Sequence, residues 1–179
     1  FFIDNLHEAL SKEVNITISG EVVNDLDKKA LEAMKQWKEY FKDSYSKIIE
    51  IFYGQIISTT QSIDQKYISH SYNPMCYFSV PIPSQMENIN IYDCFDLFTQ
   101  NETLDKDNQW YCEEINKKVD ATKQIKIWSM PKVLIVILKR FNNNGQKITN
   151  FINFPLENFN LSRYCVGYDK NKSIYDLYG

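Results

Sequence analysis

At 179 residues the chain is long enough for one domain with a sizeable core and too short for two ordinary ones. Its 44% hydrophobic, 24% charged and 15% aromatic content excludes a disordered or low-complexity polypeptide. A net charge of -3 without any block of like charges excludes a nucleic-acid footprint and a polybasic membrane patch, and leaves a mildly acidic surface suited to a partner with a basic tail.

The first ten residues contain Asp4, His7 and Glu8, which is unlike a signal peptide, and no apolar run approaches a membrane-spanning length. An intracellular protein, cytoplasmic or nuclear, is expected. After Asn24 the residues Leu26, Ala30, Met34, Trp37 and Phe41 recur at steps of three and four, which predicts an amphipathic helix. Asn24 is its expected N-cap, with Asp27 in the first turn. The stripe resumes at Tyr45, Ile48, Ile49 and Phe52 before Gly54, which is placed to end the segment as a left-handed C-cap. One long helix or two shorter ones fit equally.

From Gln55 to about Pro83 the pattern changes to short β-prone pieces, with Tyr77, Phe78 and Val80 leading into a Pro81-Ile82-Pro83 stop. Ile91, Cys94, Phe95 and Phe98 return to helical spacing. The continuous apolar run Val133 to Leu138, rich in β-branched residues, predicts a core strand buried on both faces. Asn144-Gly145 tolerates positive φ, so Lys147 to Phe154 is expected to return as its hairpin partner. Helices first and strands later make an α+β arrangement.

Cys76, Cys94, Cys112 and Cys165 lack the regular spacing of a disulfide scaffold and read as reduced, small core hydrophobes rather than nucleophiles. His7 reads as a packing or surface residue, and His70 as part of a polar turn. Lys139-Arg140 is too small a basic pair for phosphate binding and reads as a solvated strand end. Glu113, Glu114, Lys117 and Lys118 read as an exposed face.

Ile127-Trp128-Ser129-Met130-Pro131, then Val133 to Leu138 and Lys139-Arg140-Phe141, resembles a central stretch of the ubiquitin-specific proteases. Ile152-Asn153-Phe154-Pro155 is similar to the family's Phe-Pro turn. Tyr92 to Phe98, Asn108 to Cys112, Phe52-Tyr53-Gly54-Gln55 and Asp4 to Leu10 match further landmarks in order. The resemblance implies a papain-like cysteine peptidase of thumb, palm and fingers, with residues 1–53 the helical remainder of the thumb, 54–127 the fingers and 128–179 palm strands. It implies ubiquitin or a ubiquitinated protein as partner, and hydrolysis of the isopeptide bond after ubiquitin's terminal glycine by a thiolate that an imidazole activates.

The family's cysteine motif lies before the stretch matched by Asp4 to Leu10, and its Gly-Gly-His motif after Tyr175 to Gly179. The chain therefore reads as a partial domain with no catalytic residue of its own, part of an active deubiquitinase or, alternatively, of an inactive ubiquitin-binding or scaffolding relative. As an isolated piece it is expected to expose apolar faces and to dissolve poorly. The resemblance places Asp4 beside the cleft for ubiquitin's basic tail and Phe141 on that tail; the plain alternatives are a helix-start residue and a core aromatic. Ser62, Gln65, Cys112 and Ile115 occupy the positions of the family's four finger cysteines. One thiolate cannot hold structural zinc, so no metal and no cofactor are expected, with packing among Tyr67, Trp110 and Tyr111 in their place.

Overall fold

The computed structural model describes residues 2–84, 88–142, 144–168 and 170–179. Helix α1 (Phe2–Leu10) buries none of its residues fully. Polar contacts hold it: His7 lies between Ser46 Oγ at 2.8 Å and Ser44 Oγ at 3.3 Å, and Lys12 bridges Tyr45 just beyond the helix. Helix α2 (Asp25–Phe41) starts where expected, because Asn24 and Asp27 form a reciprocal capping box that satisfies two of the first-turn N–H groups. Its stripe does not continue unbroken. Ser46 caps a separate helix, α3 (Lys47–Phe52), so the two-helix alternative is the one adopted.

Gly54 is not a left-handed C-cap. It opens strand β1 (Gly54–Ser62), and Tyr53 ends α3 in extended conformation. A glycine stands there for space, since a Cβ would lie 2.5 Å from the Ser129 carbonyl oxygen and 2.9 Å from the Pro131 ring.

The remaining elements in chain order are β2 (Ile68–Met75), β3 (Phe78–Pro81), β4 (Ile89–Asn90), α4 (Ile91–Phe98), β5 (Glu102–Leu104), β6 (Trp110–Cys112), β7 (Lys117–Val119), β8 (Ala121–Ser129), β9 (Val136–Lys139), β10 (Ile152–Asn153), β11 (Phe159–Asn160) and β12 (Ile174–Tyr175). Four of them make an antiparallel sheet in the order β2-β1-β8-β5. Strands β3 and β9 pair in parallel, as do β10 and β4, while β6–β7 and β11–β12 are antiparallel pairs. The helix expected over Ile91–Phe98 is present, with its own capping box at Asn90 and Asp93.

Two expectations about the later strands need correction. The run Val133 to Leu138 is not a strand buried on both faces: β9 begins only at Val136, none of the six residues is fully buried, and Ile137 is 44% exposed. Val133 N–H donates to the Ile51 carbonyl, which holds the start of the run against α3, and the ladder that follows has its partner, β3, on one side. Alternation then turns Ile137 outward while Val136 and Leu138 pack on the core. The return of the hairpin is also short. Gly145 takes the positive φ (75°) and Phe141 bridges Lys147, but Ile152–Asn153 then leaves to pair with β4.

The larger core cluster gathers Phe78, Val80, Ile89, Cys94, Phe95, Ile127 and Leu161 between α4, β3, β8 and the segment around β11. Phe95 sits at its centre, with the rings of Phe78, Phe159 and Tyr164 at 6.0, 5.9 and 5.5 Å. A smaller cluster of Ala33, Ile57, Tyr72 and Trp128 seats α2 on the four-stranded sheet.

Within that smaller cluster the Tyr72 hydroxyl is fully enclosed without a hydrogen-bond partner, while its ring meets Trp128 edge-on at 5.3 Å. Burial pushes this hydroxyl up to about 12. A buried phenol whose folded pKa is raised contributes stability that is complete below its unfolded value and is lost as pH rises through the folded one. Tyr72→Phe is therefore expected to stabilise the protein by about 1 kcal/mol, since it removes an unpaired polar atom and keeps the ring. It should also flatten the loss of stability between about pH 10 and pH 12. Denaturant midpoints at pH 7 and pH 11 check this, and a lower midpoint for the variant at pH 7 refutes it.

Candidate functional site

Phe141 ends the Lys139-Arg140-Phe141 run where β9 turns into its hairpin, and it is 65% exposed, so it is not a core aromatic. Ile137, Leu138, Phe141 and Lys147 line an open groove along this edge. Of the two basic residues before Phe141, only Lys139 is solvated. Arg140 is half-buried and its Nη1 donates to the Asn150 carbonyl at 2.6 Å, which ties the returning chain to the strand end. The hairpin that presents Phe141 is thus braced by a charge-assisted bond.

Asp4 lies in the first turn of α1 with an exposed side chain, where a carboxylate complements the helix dipole. Its charge is felt by Tyr53 and Cys76. Burial pushes the Tyr53 hydroxyl up to about 12, and the neighbouring Cys76 and Asp4 add to the rise. Burial likewise raises the Cys76 thiol, against a hydrogen bond from Tyr53 that lowers it. In the β3–β9 ladder Phe78 faces Val136 and Pro81 faces Lys139. Asp4, beside Cys76 just before β3, and Phe141, just beyond β9, therefore stand at opposite ends of that ladder and are not brought together.

The cysteines and histidines do not meet. Cys94, Cys112 and Cys165 are buried, and burial pushes the Cys94 thiol up, which disfavours the thiolate. Cys165 Sγ lies 3.6 Å from the Trp128 carbonyl oxygen. His7 is a packing residue, clasped by two serines and tilted against Tyr53. His70 is not in a turn: it belongs to β2, where its Nδ1 pairs with Thr59 Oγ1 at 3.0 Å across the β1–β2 ladder, and burial pushes its pKa down.

The far end of the sheet carries two turns. In the first, buried Ser62 donates to Asp64 at 2.6 Å and accepts from the Tyr67 N–H at 3.1 Å, and Gln65 takes φ 60°. In the second, between β6 and β7, Cys112 is buried, Asn116 takes φ 51°, and Glu113, Glu114, Lys117 and Lys118 are exposed as expected. Zinc does not fit this donor set. Ser62 is already engaged on both its donor and acceptor sides, Ile115 offers no donor atom, and no group of three or more His, Cys, Asp or Glu side chains comes together among the described residues. Nor does Tyr111 pack as expected, being 51% exposed with its hydroxyl toward Asn116; Trp110 and Tyr67 are half-buried.

Two side-chain clusters were invisible in the sequence. Arg163 pairs with both carboxylate oxygens of Asp96 at 2.8 Å and lies 5.3 Å from the Tyr92 ring, while the Tyr164 hydroxyl donates to Asp96 and to the Tyr92 carbonyl. The Tyr168 hydroxyl donates to Asp27 Oδ1 in the first turn of α2. Nothing in the local pattern near Asp27 or Asp96 announces partners 141 and 67 residues away.

The family model described as "Ubiquitin carboxyl-terminal hydrolase" matches residues 1–179. Among relatives, "Ubiquitin carboxyl-terminal hydrolase 5" of Saccharomyces cerevisiae is 36% identical over 161 residues, covering 87% of this chain and 20% of the relative. "Ubiquitin carboxyl-terminal hydrolase 2" of Gallus gallus is 29% identical over 185 residues, covering 99% of this chain and 51% of the relative. The chain thus spans between a fifth and a half of the length of these two relatives. A solved structure, the SAGA Ubp8/Sgf11/Sus1/Sgf73 DUB module bound to ubiquitin aldehyde, superposes with a TM-score of 0.57 at 27% identity, over 77% of this chain and 32% of that one.

The two sheet-end turns lead to a direct test. After dialysis the protein is expected to carry far less than one equivalent of zinc, and a chelator should leave its melting temperature unchanged. Ser62→Ala should cost about 1–2 kcal/mol by leaving the Tyr67 amide and Asp64 without their hydroxyl partner. Stoichiometric zinc by elemental analysis would contradict the first expectation, and an unchanged denaturant midpoint the second.

Proposed function

Because the chain belongs to the ubiquitin carboxyl-terminal hydrolase family, we propose that it is the ubiquitin-gripping part of a deubiquitinating cysteine peptidase, one that hydrolyses the bond after ubiquitin's C-terminal glycine. The match of the family model along all 179 residues carries this reading. The mixed helix and strand likeness to a module bound to ubiquitin aldehyde supports it. On this reading the fold is papain-like, residues 1–53 belong to the thumb, 54–127 to the fingers and 128–179 to the palm. Ubiquitin or a ubiquitinated protein is the partner, met inside the cell.

The chain's own residues serve recognition and not bond cleavage. Its cysteines are packing residues whose neighbours are a tyrosine, a backbone carbonyl or the apolar core, and both histidine rings are held by hydroxyls. Phe141 supplies an exposed aromatic face at the end of a braced strand, the geometry in which an aromatic is most useful at an interface: large area at low cost in conformational entropy. Asp4 supplies a carboxylate for an arginine or amide of a basic tail, from the other end of the β3–β9 ladder. The two would thus touch an extended ligand at separate points.

Truncating Phe141→Ala is expected to weaken ubiquitin binding about 30-fold, the cost of losing a central aromatic anchor, and Asp4→Asn about tenfold. Isothermal titration with ubiquitin measures both independently. Ubiquitin carrying a cysteine-reactive C-terminal group should form no adduct on Cys76, Cys94, Cys112 or Cys165 when the labelled protein is mapped by mass spectrometry. An adduct at any of the four overturns the division of labour; unaltered affinity in either variant removes that residue from the grip.

A further inference from the structure

Between α2, α3 and the adjoining ends of β1 and β8 lies a cavity of about 350 Å³ that the ubiquitin reading does not use. Its walls include the rings of Trp37, Tyr53, Trp128 and Tyr168, with Ala30 on the α2 side. Tyr168 is 59% exposed yet fixed, because its hydroxyl donates to Asp27. The volume is at the lower end of the range of small-molecule sites, and aromatic walls with few polar groups are their usual composition.

The polar group here is Gln55. Its side chain is 97% buried, being only 3% exposed, and its Nε2 donates to the Ala33 carbonyl at 3.0 Å, which fixes the orientation of the amide. Its Oε1 accepts no hydrogen bond among the described residues. The Tyr72 hydroxyl is the one fully enclosed side-chain polar atom without a partner there, so Gln55 Oε1 keeps accessible surface, and that surface opens on the cavity Gln55 lines. A buried amide oxygen left unpaired costs free energy unless something donates to it.

We propose that this cavity is a binding site for a small planar aromatic molecule carrying one hydrogen-bond donor, with the ring stacked among Trp37, Trp128 and Tyr168 and the donor on Gln55 Oε1. The walls account for the planarity and the apolar body, and the single unpaired acceptor for the single donor. A cation is not called for, since no carboxylate is aimed at that oxygen, and a polyol would leave most of its hydroxyls against aromatic carbon.

Indole is the probe for a test on the full protein by ¹H–¹⁵N NMR, read at the indole N–H signals of the three tryptophans. Trp37 and Trp128 line the cavity, whereas Trp110 lies on β6 and serves as the internal control. Saturable shifts of Trp37 and Trp128, with a dissociation constant on the order of 1 mM and Trp110 unmoved, are expected. 1-Methylindole, which has no donor, should bind about tenfold more weakly. Ala30→Phe, which fills the space, should abolish the shifts. No saturation up to 10 times the expected constant (about 10 mM), equal movement of Trp110, or equal affinity for 1-methylindole would each overturn the proposal, the last without depending on any variant folding.

Discussion

The end of β8 is gripped from both sides by backbone. Gly54 brings the start of β1 so close to Ser129, and Gly167 brings the chain after Cys165 so close to Trp128, that a Cβ at either glycine would lie 2.5 Å and 2.1 Å from a carbonyl oxygen. These approaches fix where three layers meet. Through Gly54, β1 enters its ladder with β8 and delivers α3 immediately before it; through Gly167, the segment that follows Leu161 and Tyr164 is laid along the same strand, with Val166 N–H donating to Ile127. Trp128 then has its ring between the β2 side chain of Tyr72 and the α2 side of the smaller core. Any residue larger than glycine at either place would part the helices from the sheet or the late segment from β8.

What the sequence made legible was local. The capping box at Asn24, the apolar stripe of α2, the amphipathic helix at Ile91 and the β-prone region after Gly54 each depend on residues within a turn or two of one another, and each is found. The errors concern neighbours. Val133 to Leu138 has the composition of a strand covered on both faces, but exposure is decided by what lies alongside, and β9 pairs on one side with β3 while its first half is drawn to Ile51. His70 looked like part of a turn because polar residues surround it; its place in β2 follows from the partner strand, where Thr59 waits for its ring. Gly54 was read by its φ tolerance when the reason for a glycine was room.

The candidate site divides in the same way. Phe141 was found by its position in a run of residues, and the structure adds the brace from Arg140 to Asn150 that holds it outward. The substitution of the finger cysteines was also plain in the sequence. What replaces a metal there was not, because the Ser62 hydroxyl network and the two left-handed residues, Gln65 and Asn116, are properties of closed turns and not of composition. The Asp27–Tyr168 and Asp96–Arg163 contacts join distant stretches, and no periodicity or spacing rule reaches that far.

The arrangement of β1 also sets an order of events. Its pairing with β2 closes a turn of a few residues, from Ser62 to Tyr67, whereas its pairing with β8 joins Ser62 to Ala121 across about sixty residues. Loop closure of that length is entropically slower to achieve, so the β1–β2 hairpin can assemble first, while β1 still has a bare edge. During synthesis that edge would stay open until the ribosome had released β8, and it is in this interval, more than in the finished molecule, that the chain is most exposed to capture by a neighbouring strand or a chaperone.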